Sequence, residues 1–239
     1  MLGTRLGDEV LELCGDTLLS PSSIDFRNQE RVIWAFPVYS WGVPPVVARF
    51  IERVDLTGIG NRYHFMVATC GDDAGLTHRQ WRKLLSKRGW DGVAAFTVIM
   101  PNTYTLMNGF DVDSVEVAAA KLAAAPAAVD SIAASIVKGV RGDKVVKGRF
   151  AWIKTRVIYP WFVRHAMSPR PFHATESCTG CGLCSRFCPL NNITMSDGTP
   201  CWGDNCALCL RCYHSCPTRA VAYGKATHGK GQYLCQVYD

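Results

Sequence analysis

Cys178, Cys181, Cys184 and Cys188, followed by Pro189, and Cys206, Cys209, Cys212 and Cys216, followed by Pro217, are two copies of one spacing, C-x2-C-x2-C-x3-C-P. Thiolates suit iron-sulfur clusters, and two-residue gaps let three cysteines of one tight loop reach three corners of a cube. In this pattern the fourth cysteine of each run serves the other cube. The spacing therefore predicts two [4Fe-4S] clusters, the first on Cys178, Cys181, Cys184 and Cys216, the second on Cys206, Cys209, Cys212 and Cys188. Structural zinc uses paired C-x2-C elements, but it needs neither a third cysteine at the same interval nor a repeated trailing proline. A disulfide framework needs an oxidising compartment, and Met1–Glu9 has no charged region leading into an apolar core. A cytoplasmic location is expected.

The cysteine runs occupy only the last quarter of the 239 residues, so something larger precedes them. Hydrophobic residues at 48% argue for a globular chain. No apolar run approaches the roughly 18 residues a membrane-spanning helix needs. The net charge of +6 is local: seven Lys or Arg and no Asp or Glu lie between Lys144 and Phe172. That argues against a nucleic-acid surface. The stretch also holds Phe150, Trp152, Tyr159, Trp161 and Phe162, and reads as a basic aromatic linker over 142–173. Packing of the linker on its neighbours is the preferred reading, with an acidic partner or an anionic membrane surface as the alternative. Pro160 is expected to break or kink any helix there.

The N-terminal part, 1–141, alternates strand and helix. Strands are predicted at Arg31–Val38, Tyr63–Cys70 and Val93–Met100. Helices are predicted from Pro45 to Val54, from His78 to Lys87 with Thr77 as cap, and from near Pro126 to Val140. This order predicts an α/β fold with a parallel sheet covered on both faces. Ligands of such sheets bind beyond the carboxyl ends of the strands. The loops that begin near Pro37, Cys70 and Pro101 then share one rim. Tyr39, Trp41 and Tyr104 could stack on a planar cofactor there, and Gly42, Gly71 and Gly75 would let backbone amides approach it; local packing of these aromatics is the plainer alternative.

Phe36-Pro-Val-Tyr-Ser-Trp-Gly-Val-Pro44, Thr69-Cys-Gly71 and Met100-Pro-Asn-Thr-Tyr104, followed by the double cysteine run, resemble the flavodoxin–ferredoxin fusion proteins of anaerobic microbes, the EFR-type ferredoxins. The resemblance covers nearly the whole chain. It implies an FMN-binding flavodoxin-like domain at 1–141, joined through 142–173 to a two-cluster α+β ferredoxin domain at 174–239. It places Tyr39 and Trp41 against the isoalloxazine ring, Tyr104 on its other side, and Cys70 and Gly71 at its edge. Ser40, Gly42 and Asn102 complete the candidate flavin set. Members of that family open on a short apolar strand and a glycine-rich phosphate loop before the first helix. Here Met1–Asp8 resembles the end of that helix and Glu9–Leu13 the second strand, so the first strand and the loop are missing from the pattern. Either translation starts upstream of Met1, which is preferred, or strong FMN binding has been lost. Thr57-Gly-Ile-Gly-Asn61 imitates the missing loop but is read as a helix-end turn, because it precedes a strand and opens no helix.

The leading expectation is a cytoplasmic electron carrier passing single electrons between redox protein partners through two clusters, coupled to FMN. Two alternatives stay open: a ferredoxin whose N-terminal domain only docks partners, and a flavin-dependent reductase of a small acceptor. No triad or paired acid and base appears, and the six histidines show no ligand spacing. Cys14, Cys70 and Cys235 read as ordinary buried or surface residues, and Cys201 as a spare thiol outside the eight-ligand count.

Overall fold

The computed structural model describes residues 1–19, 23–27, 29–58 and 63–234. Cys235 and most of the Thr57–Asn61 segment lie outside them. The chain divides into two units, Met1–Pro101 with Val115–Arg164, and Asn102–Ser114 with His165–Asp239. The basic stretch at 142–173 is therefore no separate linker, since its residues up to Arg164 fold with the first unit.

In the first unit β2 (Arg31–Pro37), β4 (Tyr63–Cys70), β5 (Gly92–Ile99) and β6 (Gly142–Lys144) form one all-parallel sheet in that order. Two shorter strands, β1 (Ser23–Asp25) and β3 (Asp55–Thr57), pair in parallel as a separate ribbon. β4 is buried along almost its whole length, as expected for a strand covered on both faces. On one face α5 (Val115–Val137) lays Ile132 and Ile136 on Phe65, Val67, Phe96 and Val98, and Leu2 and Leu6 of α1 (Leu2–Leu6) extend that core. Ile33 points to this face, so Trp34 points to the other, where its ring meets Phe50 of α3 (Pro45–Arg53). Trp81 and Leu85 of α4 (Thr77–Ser86) are fully buried. Arg88 holds the end of α3, donating to the carbonyls of Glu52 at 2.6 Å and Val54 at 2.8 Å.

Several expectations are corrected. Glu9–Leu13 is not a strand, and Val10 and Leu11 are exposed. Gly58 follows the short strand β3 instead of a helix end, because Val54 already turns the chain into extended backbone. Thr77 does not cap α4 with its side chain; its hydroxyl donates to the Ala74 carbonyl. α5 starts eleven residues before Pro126 and runs through it, because the flanking alanines have the highest helix propensity of any residue. The result is a helix long and apolar enough, by length and composition, to cross a membrane, which the sequence did not suggest. Ile132 and Ile136 pack on the sheet, and Lys121 and Asp130 pair with Asp72 and Arg5, so α5 serves as a covering helix.

The helical run from 151 likewise passes through Pro160, with wide π-turns at Lys154–Ile158 and Phe162–Ala166 on either side. The turn widens where the proline interrupts the ordinary hydrogen-bond ladder.

The second unit holds two antiparallel ribbons, β7 (Phe172–Ala174) with β10 (Val221–Tyr223), and β8 (Ile193–Ser196) with β9 (Thr199–Trp202). Two single-turn helices, Leu183–Arg186 and Arg211–His214, complete it. Residues 102–114 belong here as well. Leu106 sits in the same core as Phe172, Ile193, Leu210 and Val221, and Lys230 Nζ donates to the carbonyls of Thr105 and Met107, both at 2.6 Å.

Candidate metal centres and the aromatic rim

The two cysteine runs fold alike because equivalent positions take the same backbone shape. Gly180 and Gly182 have φ of 68° and 72°, and their counterparts Leu208 and Leu210 have 51° and 62°. Left-handed backbone costs a non-glycine residue about 1–2 kcal/mol. Both leucines are buried in the core of the unit, and burying a leucine returns about 1.5–3 kcal/mol. Packing thus holds in the second run the turn that glycine allows in the first. Asn191 and Arg219, each three residues past the fourth cysteine, share the left-handed region too.

These turns aim the thiols into two cavities. One, with about 350 Å³ of space not filled by protein atoms, part of it open to solvent, is lined by Cys178, Cys181, Cys184 and Cys216, with Met195, Pro200 and Val221 as apolar cover. The other, also about 350 Å³, is lined by Cys206, Cys209, Cys212 and Cys188, with Phe172, Leu190, Ile193 and Trp202. Three cysteines of one run and the fourth of the other meet at each cavity. A single zinc ion would need its thiolates at about 2.3 Å from one point, and no three His, Cys, Asp or Glu side chains among the described residues converge for one ion. Four thiols spread around a larger space suit a polynuclear body.

Backbone amides reach the sulfurs. Asn192 N–H donates to Cys188 at 3.3 Å and Ala220 N–H to Cys216 at 3.2 Å, at equivalent positions of the two runs. Leu208 N–H donates to Cys206 at 3.3 Å. Burial pushes the Cys206 thiol up to about 11 and Cys212 up to about 12. At Cys216 burial acts the same way, but the Thr218 hydroxyl and nearby backbone amides outweigh it and bring the thiol below its usual range. Thiols of this kind release their protons to solvent as their sulfurs bind a metal cation, which ties metal loading to the folded unit. The donor set, the space and the amide-to-sulfur bonds all fit [4Fe-4S] clusters.

Cys201 is exposed and lines neither cavity. Its neighbour Trp202 points the other way along β9, toward the thiols. Sequence reasoning missed Trp202 and Phe172, because nothing in the cysteine spacing marks the residues that close the cavities.

The candidate flavin residues are divided between the two units. Asn102 and Tyr104 lie in the second, where Asn102 donates to Asp113 and Tyr104 packs edge-on to Phe110. Burial raises the Tyr104 hydroxyl to about 12. Tyr39, Ser40, Trp41, Gly42, Cys70 and Gly71 remain together at the carboxyl ends of β2 and β4. Tyr39 and Gly42 exchange both backbone hydrogen bonds, with Ser40 and Trp41 at φ of 44° and 63° between them. This is a tight hairpin turn that ordinarily calls for Asn-Gly.

The chain's own helical run covers that turn. Thr155 Oγ1 donates to the Trp41 carbonyl and accepts from Leu76 N–H, both at 2.8 Å. Tyr159 donates to the Val43 carbonyl at 2.6 Å. Lys154 Nζ lies 5.0 Å from the Trp41 ring centre and pairs with Asp73 at 2.5 Å. A methyl added at Gly42 would strike the Tyr159 ring, and one at Gly75 would strike Thr155. Cys70 is buried, which raises its thiol to about 12. Gly42, Gly75 and the backbone of the Trp41 turn, which would face an isoalloxazine edge, are thus engaged by the chain's own Thr155 and Tyr159. Thr155→Val should leave Leu76 N–H and the Trp41 carbonyl unpaired, at about 1–3 kcal/mol. Urea unfolding would read that loss, and faster hydrogen exchange at Leu76 would localise it; unchanged Leu76 protection would refute the clasp.

Against known proteins, residues 172–194 match the 4Fe-4S binding domain family, a segment that holds the whole first cysteine run. No curated protein matches the chain. Residues 172–194 are therefore a ferredoxin-type 4Fe-4S binding segment, which points to iron-sulfur electron transfer.

Proposed function

We propose that the chain is a carrier of single electrons with two [4Fe-4S] clusters, ligated crosswise, whose α/β unit holds no flavin and serves to engage redox protein partners. The meeting of Cys216 with the first run, and of Cys188 with the second, carries this reading. When bound, the clusters supply reversible one-electron transfer. The protein positions the thiolates, directs backbone amides at the sulfurs and excludes water with Ile193, Leu190 and Val221, all of which bear on potential. The clasp of Thr155 and Tyr159 over the Trp41 turn supports the flavin-free part of the proposal.

One assay tests both parts. Anaerobically purified full-length protein is expected to contain about eight iron and about eight sulfide per chain, since each cube holds four of each, and to release no flavin on acid treatment. Four irons per chain would refute the two-cluster reading. One flavin per chain would refute the closed rim.

A further inference from the structure

The water-facing side of a helix ordinarily carries polar side chains, and large apolar ones exposed together mark an interaction surface. The helical run that begins at Ala151 departs from that rule. Its inner side is fastened: Thr155 and Phe162 are buried, and Thr155 and Tyr159 are bonded to the Trp41 turn. Away from that fastening Trp152 is 62% exposed, Val157 54% and Trp161 52%, with Ile153 exposed beside them. Ile153, Val157 and Trp161 recur at intervals of four, which keeps them on one stripe of a helix widened by π-turns. The charge around them has one sign. Lys147, Arg149, Arg156 and Arg164 are exposed, and no Asp or Glu lies between Lys144 and Phe172. Lys154, by contrast, turns inward to Asp73. The Arg149 guanidinium lies 4.8 Å from the centre of the exposed Phe150 ring, so cation and aromatic face are presented together.

We propose that the face of the first unit bearing Trp152, Val157 and Trp161, with Arg149, Arg156 and Arg164, binds the surface of an anionic phospholipid membrane. An acidic protein would complement the charges, but it would need a hollow shaped to take two indoles. A bilayer interface offers phosphates above an apolar layer at every point. Indole rings favour that boundary, and arginine stems lie along it while their guanidinium groups reach the phosphates. The helix is already folded and held from behind, so little ordering is lost on binding. Attachment is peripheral, because 151–164 spans about 20 Å as helix, short of the roughly 30 Å of a hydrocarbon core. The surface belongs to the α/β unit and does not depend on the clusters.

The test is flotation of anaerobically purified full-length protein with vesicles of phosphatidylcholine and phosphatidylglycerol in equal parts, against phosphatidylcholine alone. The protein is expected to float with the mixed vesicles and not with the neutral ones. Arg149→Gln with Arg156→Gln should weaken binding about 25-fold, at about fivefold for each basic residue near an anionic surface. Trp152→Ser should weaken it about tenfold at unchanged charge, because a large apolar side chain is then missing from the interface. These three residues are exposed, so circular dichroism and iron content should match the unsubstituted protein. Full binding by either variant would overturn the assignment of this face, as would equal flotation with neutral vesicles. Binding to soluble polyglutamate but not to vesicles would overturn it in favour of an acidic protein partner. A second measurement needs no variant: brominated phosphatidylcholine in the mixed vesicles should quench tryptophan emission, and its failure to do so would equally overturn the proposal. Iron content reads the clusters and flotation reads this face, so the two fail separately.

Discussion

Cys188→Ser is expected to abolish the cluster held by Cys206, Cys209 and Cys212 and to spare the one held by Cys178, Cys181 and Cys184, although Cys188 belongs to the first run. Cys188 lines the cavity of the second run, and its sulfur accepts from Asn192 on that side. Cys216→Ser should do the reverse, because Cys216 lines the first cavity and accepts from Ala220 there. Each single substitution should halve the iron, from about eight to about four per chain. Iron counts alone do not say which site is lost. The identity of the survivor is read from double variants: adding Cys178→Ser to Cys188→Ser should remove the remaining iron, whereas adding Cys209→Ser should not, because Cys178 and Cys209 line different cavities. A Cys178→Ser/Cys188→Ser protein that still holds about four irons would show that each run ligates its own cube.

Trp81→Ala is expected to destabilise the first unit by about 3–5 kcal/mol, the range for removing a large aromatic side chain from a packed core. Trp81 is fully buried, and its ring lies directly on the backbone of Gly92 at the start of β5, where even an added methyl would collide with it at 2.7 Å. Little around the site can collapse to fill the space, because the neighbour on that side is strand backbone. α4 would lose its anchor on β5, and the loop before it carries Leu76, which the Thr155 clasp holds. Trp81→Phe provides the control. The indole N–H of Trp81 is buried with no hydrogen-bond partner, so phenylalanine removes an unpaired donor as well as some volume, and its cost should be clearly smaller. Denaturation midpoints followed by circular dichroism measure both variants. Equal costs for alanine and phenylalanine would mean that the indole packs less tightly than its burial indicates.

The parallel sheet was legible because β-branched and aromatic runs such as Arg31–Val38 and Tyr63–Cys70 are bounded by turn residues and separated by helical periodicity. The helices were less so. A proline ordinarily marks a helix start or break, and at Pro126 and Pro160 helix continues through it. In the first case a long alanine-rich stretch outweighs the local penalty. In the second, helix lies on both sides with widened turns, and the face bearing Thr155 and Tyr159 is fastened to the sheet rim. Tyr104 follows a strand end as Trp41 does, so one rim seemed natural for both. Instead residues 102–114 fold into the other unit, where Leu106 is buried with Phe172 and Ile193.

The cysteine spacing, by itself, pointed to iron-sulfur chemistry and singled out eight thiols for it, in groups of three. That information is covalent and local, carried by gaps of two and three residues. Which fourth thiol joins each group follows from a general pattern in the sequence, and the two cavities show the same grouping in space. The tertiary structure alone decided the rest. Thr155 meets Trp41 across 114 positions of chain, and the Trp202 indole reaches a cavity whose spacing motif does not include it. Contacts of that kind depend on which helix face and strand face are buried together, and no local interval in the sequence encodes them.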